Sequence, residues 1–306
     1  MQYRRLVVHI FNVGSHSKLK GNSVTDHSGL LYVVATPIGN MTDITQRAIQ
    51  ILSDVDFIAA EDTRHSRYLL NHHGINTPMI SVHEHNERKQ VESVLARLSN
   101  GESMALISDA GTPLISDPGY HLVKIARDKG IKVVPVPGAC ALIAALSVSG
   151  LPTDHFRFEG FLPHKKSARQ AQLTSLKDEV VTLVFYESSH RIAESVEDMR
   201  NIFGDNRQAI LAREITKTFE TVLGNTLGDI VSKVKEDANQ RKGEFVLVVR
   251  GAEKQSTDIE MQSAEALLKL LLDEMSVKQA SRIVASYKGL SKNELYKRAL
   301  EMQEDS

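Results

Sequence analysis

The chain has 306 residues, 42% of them hydrophobic, which suffices for packed cores and about two domains. Lys and Arg number 37 against 38 Asp and Glu, so there is no global basic field, and any nucleic-acid contact has to come from a local patch. The single cysteine, Cys140, excludes an intrachain disulfide and a thiolate metal cluster, in keeping with a reducing cytosol.

Residues 1–28 form a mixed polar stretch whose one apolar patch, Leu6 to Phe11, is interrupted by His9. It is too short for a secretory signal and is expected to be a poorly ordered leader, or an upstream start of no functional weight. No apolar run in the chain approaches the length of a membrane span.

Leu30 to Val34 reads as a buried strand, followed by the loop Ala35-Thr-Pro-Ile-Gly-Asn40 and a helix capped near Asp43 or Thr45. Val55 to Ala60 is a second strand, and Glu61-Asp-Thr-Arg64 leads from it into a helix. Asp62 and Arg64 read as either a structural ion pair or substrate contacts. His83-Glu-His-Asn86 follows a short strand at Pro78 to Ser81. The i, i+2 spacing of its histidines puts them on one strand face, but no further ligand set is spaced nearby, so no metal is expected.

The most informative stretch is Ile107-Ser-Asp-Ala-Gly-Thr-Pro-Leu-Ile-Ser-Asp-Pro-Gly119, between the apolar run from Met104 and the helical pattern Tyr120 to Lys129. Strand, loop and helix make half of a βαβ unit, and Gly111 lets backbone approach a ligand. The loop contains neither the dinucleotide fingerprint nor a P-loop. Ile131 to Val136, Pro137-Gly-Ala-Cys-Ala141 and an apolar helix to Val148 make a third glycine-bearing corner. Three such corners, after Val34, Ile107 and Val136, line one edge of a parallel sheet if the crossovers are right-handed.

Gly150-Leu-Pro-Thr-Asp154 reads as a linker between domains spanning 29–150 and 151–254. Beyond it come a strand at Phe158 to Phe161, an exposed basic helix with Lys165, Lys166 and Arg169, and a strand Thr182 to Glu187 ending in Ser188-Ser-His-Arg191. Ala209 to Glu214 and Lys242 to Val249 complete a mixed sheet, so the chain is α/β with a parallel first domain, a mixed second domain and a cleft between them. Residues 262–303 are helical throughout, and the turn Lys288-Gly-Leu-Ser-Lys-Asn293 makes them resemble a helix-turn-helix extension or a packing hairpin.

The set Ala35 to Asn40, Ala60-Glu-Asp-Thr-Arg64, Ser108 to Gly119, Tyr186-Glu-Ser-Ser-His-Arg191, Ala212-Arg-Glu-Ile-Thr-Lys217 and Lys242-Gly-Glu244 resembles the ribosomal RNA small-subunit methyltransferase I family, of the tetrapyrrole-methylase fold. The resemblance runs from about Gly29 to the carboxyl end. Ala35 and the pair Ala139-Cys140 depart from the usual pattern. The resemblance implies S-adenosylmethionine-dependent methylation of the ribose 2′-hydroxyl of cytidine 1402 in 16S ribosomal RNA, by a cytoplasmic homodimer without metal.

On that basis the cofactor is expected on Pro37, Asp109, Ala110, Gly111, Ile115, Ser116, Ala139, Tyr186 and Glu244. Asp62, Glu187 and His190 are candidate bases. Arg64, Arg191 and Arg213 are candidate phosphate clamps, and Lys288 and Lys292 candidate RNA contacts in the tail. Glu187 and Arg191 have a competing reading as an ion pair at a helix start. Two other functions are weighed. A small-molecule methylase of this fold would want an apolar trough, which a chain without Trp and with 5% aromatic residues supplies poorly. A non-catalytic RNA-binding protein would not need three glycine corners around a cleft.

Overall fold

The computed structural model describes residues 29–83, 86–253 and 257–304. Residues 1–28, expected as a leader, and, from the histidine pair, Glu84 and His85 lie outside the described residues. The first sheet contains β1 (Leu30–Val34), β2 (Phe57–Ala60), β3 (Met79–Ser81), β4 (Met104–Ile107) and β5 (Lys132–Val136), in the order β3-β2-β4-β1-β5. Every pairing is parallel. The strands are continuous apolar runs, as burial on both faces requires.

Helices α1 (Gln46–Asp54) and α2 (Thr63–His72) close one face, with Ala48, Leu52 and Leu70 packed on Ile58, Ala105 and Val136. On the other, α3 (Glu87–Ser99) and α4 (Tyr120–Asp128) pack Val94, Leu98, Leu122 and Ala126 on Leu31, Phe57 and Met104. The first helix starts at Thr45, whose hydroxyl accepts from the Ala48 N–H at 3.1 Å. Asp43 instead ends a short 3-10 turn.

The second sheet contains β6 (Phe156–Phe161), β7 (Thr182–Ser188), β8 (Ala209–Arg213), β9 (Thr221–Leu223) and β10 (Glu244–Val249), in the order β6-β7-β10-β8-β9. Only the β6–β7 pairing is parallel, so the sheet is mixed. One face is covered by α6 (Lys166–Ser175), α7 (Ile192–Phe203) and α8 (Leu227–Glu236) around Leu183, Phe185 and Leu247. Each such buried side chain contributes about 1.5–3 kcal/mol relative to exposure.

The opposite face, with Val184, Ile210, Ala212, Val246 and Val248, is half covered by Leu142, Ala145 and Leu146 of α5 (Ala141–Val148). The turn at 150 does separate the two sheets in sequence. Physically, however, α5 on its amino side packs against the second sheet and ties the two domains together.

The tail is three helices, α9 (Thr257–Leu272), α10 (Val277–Lys288) and α11 (Lys292–Glu304), around a core of their own with Leu268, Val284 and Leu295 fully buried. Gly289 in the left-handed region ends α10 at the expected turn. No helix among the described residues is long and apolar enough to cross a membrane. The helix expected to expose a basic face does so only in part. Arg169 is 1% exposed and pairs with Asp198 at 2.7 Å and Glu194 at 3.1 Å, fastening α6 to α7.

Candidate active site

Because the first sheet is parallel, the corners after β1, β4 and β5 share one edge, where open α/β sheets bind ligands. Hydrogen bonds lace these corners together. The Thr36 N–H donates to the Gly111 carbonyl at 2.8 Å, and the Gly111 N–H to the Thr36 carbonyl at 3.1 Å. The Thr112 hydroxyl donates to the Ala139 carbonyl at 3.0 Å. Gly111 has φ +84°, and Leu114 and Ser116 also lie in the left-handed region at 72° and 66°. For non-glycine residues that conformation costs about 1–3 kcal/mol each, and such strain clusters at binding sites.

Between this edge and the half of the second sheet that α5 leaves open lies a cleft of about 480 Å³. Its walls include Ile38, Asp109, Ala110, Gly111, Ile115 and Ser116 from the first domain, and Phe161, Tyr186, Ala212, Glu244 and Val246 from the second. Seven of the nine residues expected to hold a cofactor thus border one cavity. Pro37 and Ala139 do not, because each stands one residue back, where Ile38 and Cys140 take the lining positions. The Tyr186 hydroxyl accepts from the Leu142 N–H at 3.2 Å, and its ring sits edge-on to Phe158 and Phe161 at 4.8 and 5.6 Å. Burial, with the Cys140 thiol beside it, raises the phenol above its ordinary value and keeps it protonated.

The charge lining the cleft is mostly acidic: Glu61, Asp109, Asp117, Glu187, Glu214 and Glu244 against Lys217. Lys217 bridges Glu214 at 3.0 Å and Glu244 at 2.8 Å. Burial opposes its charge, but these hydrogen bonds outweigh burial and hold the ammonium above its ordinary value. Asp117 stands apart. Burial pushes its carboxyl up to about 6, the nearby Asp109 adds to the shift, and a hydrogen bond from Ser108 moderates it. The sequence alone does not single out Asp117, because its burial depends on how the loop folds back on Ser108. Lys217 and Phe161 were likewise missed as lining residues.

The candidate bases separate. Asp62 caps α2, accepts from the Arg64 backbone N–H at 2.8 Å and pairs with the Arg64 guanidinium at 2.8 Å. Those hydrogen bonds hold its carboxyl at about 2, a poor proton acceptor. The Asp62 N–H donates to Asp109 at 3.1 Å, so the pair sits on the rim, with the Arg64 side chain 91% exposed. His190 is exposed in the turn directly after the lining residues Ser188 and Ser189.

Glu187 borders the cleft, but its carboxylate is engaged as the competing reading has it, in the ion pair at a helix start. Alternation along β7 turns its side chain to the α7 face together with Leu183 and Phe185, while Tyr186 takes the cleft face. There it is fully buried, accepts from Ser195 Oγ at 2.6 Å and pairs with Arg191 at 2.8 Å.

Arg191 and Arg213 are corrected as phosphate clamps. Arg191 also donates to the Leu162 carbonyl at 2.6 Å, and its side chain is largely buried. Arg213 is buried and donates to the carbonyls of Lys242 and Phe219 at 2.7 and 3.0 Å. In the tail, Lys288 donates to Ser263 Oγ at 2.9 Å, and Lys292 is exposed at the start of α11. Among the described residues no group of three or more His, Cys, Asp or Glu could hold a metal ion.

Two α/β domains of this order around such a cleft are matched by a methylase family. The family model of tetrapyrrole (corrin/porphyrin) methylases matches residues 30–231, and that of the RsmI C-terminal HTH domain matches residues 258–303. Among solved structures, a cobalt precorrin-4 methyltransferase of cobalamin biosynthesis is similar with a TM-score of 0.55 at 17% identity, covering 74% of this chain and 98% of that one. The uroporphyrin-III-C-methyltransferase of Thermus thermophilus is similar with a TM-score of 0.51 at 22% identity, over 72% and 94%. At these identities the likeness concerns the fold alone.

Closer relatives carry the particular family. The protein named ribosomal RNA small subunit methyltransferase I in Escherichia coli O157:H7 is 51% identical over 93% of this chain and 100% of its own length. Those of the same name in Haemophilus influenzae and Pseudomonas aeruginosa are 51% and 52% identical, over 89% and 90% of this chain and 97% and 98% of theirs. The chain belongs to the ribosomal RNA small subunit methyltransferase I family of methyltransferases.

Proposed function

We propose that the protein transfers a methyl group from S-adenosylmethionine to the ribose 2′-hydroxyl of cytidine 1402 in 16S ribosomal RNA, acting as a cytoplasmic homodimer on the small ribosomal subunit. The observation that carries the reading is the cleft itself: a cavity of small-molecule size, braced by strained corners and lined by carboxylates, in a chain of this family. A carboxylate lining suits a cationic ligand, and the aromatic wall of Phe161 and Tyr186 suits a flat heterocycle. Backbone groups of Asp109, Ala110 and Gly111, with Ile115, Ser116, Tyr186 and Glu244, would hold the cofactor. When bound, S-adenosylmethionine supplies a methyl group on a positively charged sulfur, already activated for transfer.

The protein's task is then alignment of the ribose oxygen and disposal of its proton. Asp117 supports the second role, since a half-buried carboxyl titrating near neutrality is a competent acceptor at working pH. Arg64 on the rim and the tail lysines Lys288 and Lys292 would contact phosphates. Incubation with radiolabelled S-adenosylmethionine and assembled small subunits, followed by primer-extension mapping, tests the reading. Label at cytidine 1402 is the expected result. Transfer to a tetrapyrrole, or RNA binding without transfer, would replace it with one of the two other functions.

A further inference from the structure

The cleft continues at one end into a second, more open recess. Glu214 and Lys217 line both, and the recess is completed by residues 39–41 of the first corner and 216–219 of the loop after β8. The two loops meet closely, since a Cβ on Gly39 would come within 2.4 Å of Lys217 Cγ. The loop after β8 is held rigidly. Glu214 and Thr216 adopt left-handed φ of 51° and 67°. The Glu220 carboxylate accepts from the Thr216 N–H at 2.6 Å, and the buried Arg213 guanidinium donates to the Phe219 carbonyl at 3.0 Å.

At the tip of this braced, strained loop the Phe219 side chain is 69% exposed and makes no ring contact among the described residues. A rigid mount for an exposed aromatic ring gives nothing to the core, but it is what a stacking platform for an unpaired base requires. On the facing wall, Asn40 Oδ1 accepts from both the N–H and the hydroxyl of Thr42. That fixes the Asn40 side chain and leaves its Nδ2 as the donor group, suited to the carbonyl or ring nitrogen of a base.

We propose that this recess is the nucleoside subsite of the enzyme: the base of the nucleotide to be methylated unstacks onto Phe219, and its ribose enters the cleft past Lys217. The proposal rests on the reading of the protein as an RNA ribose methyltransferase. It assigns the base-binding role to the loop at 214–220, which the cofactor contacts do not use beyond its two shared residues.

The test compares wild type, Phe219→Ala and Phe219→Tyr in the full-length protein. The probe is a single-stranded RNA oligonucleotide of the methylated sequence with 2-aminopurine beside the target position. Oligonucleotide affinity, KM and kcat on small subunits, S-adenosylmethionine affinity by calorimetry, and oligomeric state are measured together. Loss of one base stack lowers affinity by about 5- to 150-fold. Phe219→Ala should show a loss in that range for the oligonucleotide and a raised KM for subunits, with cofactor affinity unchanged and Phe219→Tyr restoring binding.

Equal RNA affinity and equal KM for wild type and Phe219→Ala overturns the subsite. A Phe219→Ala variant that changes oligomeric state overturns it too, in favour of a contact between copies, and joint loss of RNA and cofactor affinity assigns the ring to structure. If wild type transfers no methyl group to subunits, the functional reading fails, while the oligonucleotide comparison still decides the subsite: equal binding, or none by either protein, refutes it.

Discussion

Glu187→Gln separates a catalytic from a structural carboxylate. The side chain is fully buried between β7 and α7, where it pairs with Arg191 at 2.8 Å and accepts from Ser195 Oγ at 2.6 Å and the Ser188 N–H at 2.8 Å. Removing one partner of a buried pair costs about 3–5 kcal/mol. The amide keeps an oxygen for one of these donors and Arg191 keeps the Leu162 carbonyl, so the loss should fall near about 3 kcal/mol.

At about 2–4 °C per kcal/mol for domains of this size, the melting temperature should drop by about 6–12 °C. Thermal unfolding monitored by circular dichroism checks this, with methyl transfer and cofactor affinity measured at 20 °C on the folded variant, where both should stay within a few-fold of wild type. Arg191→Leu should destabilise similarly, and the double variant by clearly less than the sum, because neither charge is then left unpaired. A turnover loss of about 10²–10⁴-fold with an unchanged melting temperature would refute the assignment and restore Glu187 as a general base.

Asp117→Asn should stabilise the protein without cofactor at pH 8 but not near pH 4. The folded-state value of about 6 exceeds the ordinary 3.8, so the folded protein holds this proton more tightly and loses stability as pH rises through that interval. Two pKa units would be about 3 kcal/mol, reduced by solvent screening to about 1 kcal/mol for a group this accessible. Urea midpoints at both pH values measure it, and a pH-independent gain would show that burial of the charge is not the cause. The same substitution should slow methyl transfer at pH 7.5 by far more than it weakens cofactor binding; undiminished turnover would remove Asp117 as proton acceptor. Gly111→Val should fold with a strain of about 1–3 kcal/mol from its φ of +84° and lose S-adenosylmethionine binding by calorimetry. Retained affinity in a folded variant would take this loop out of the site. A chain ending at Lys254 should fold, since the helical tail has a core of its own, and should lose RNA affinity more than cofactor affinity. Undiminished RNA binding would assign the tail to packing.

Local chemistry in the sequence was enough to place nine of the ten described strands, missing only the short β9, together with the three glycine-bearing corners, the parallel and mixed character of the two sheets, and the helical tail. Continuous apolar runs ending in Pro and Gly leave few other solutions, and a parallel sheet necessarily gathers its strand ends on one edge. Most of the residues expected around a cofactor are therefore found around one cavity. What the sequence could not decide was where individual charged side chains point.

Glu187 and Tyr186 are neighbours in one strand, yet the pleat sends them to opposite faces, and only the packing of α7 on one and the cleft on the other shows which face is chemical. Arg169, Arg191 and Arg213 look like surface cations in the sequence, and each is buried by carboxylates or carbonyls that lie from 4 to 29 residues away. Asp117 gains its raised pKa from the way its own loop folds back on Ser108 and Asp109, and Phe219 its mount from Arg213 and the Thr216–Glu220 hydrogen bond, contacts that depend on how each loop closes. Sequence patterns report the period of burial, whereas the partner that satisfies or isolates a charge is a property of tertiary proximity.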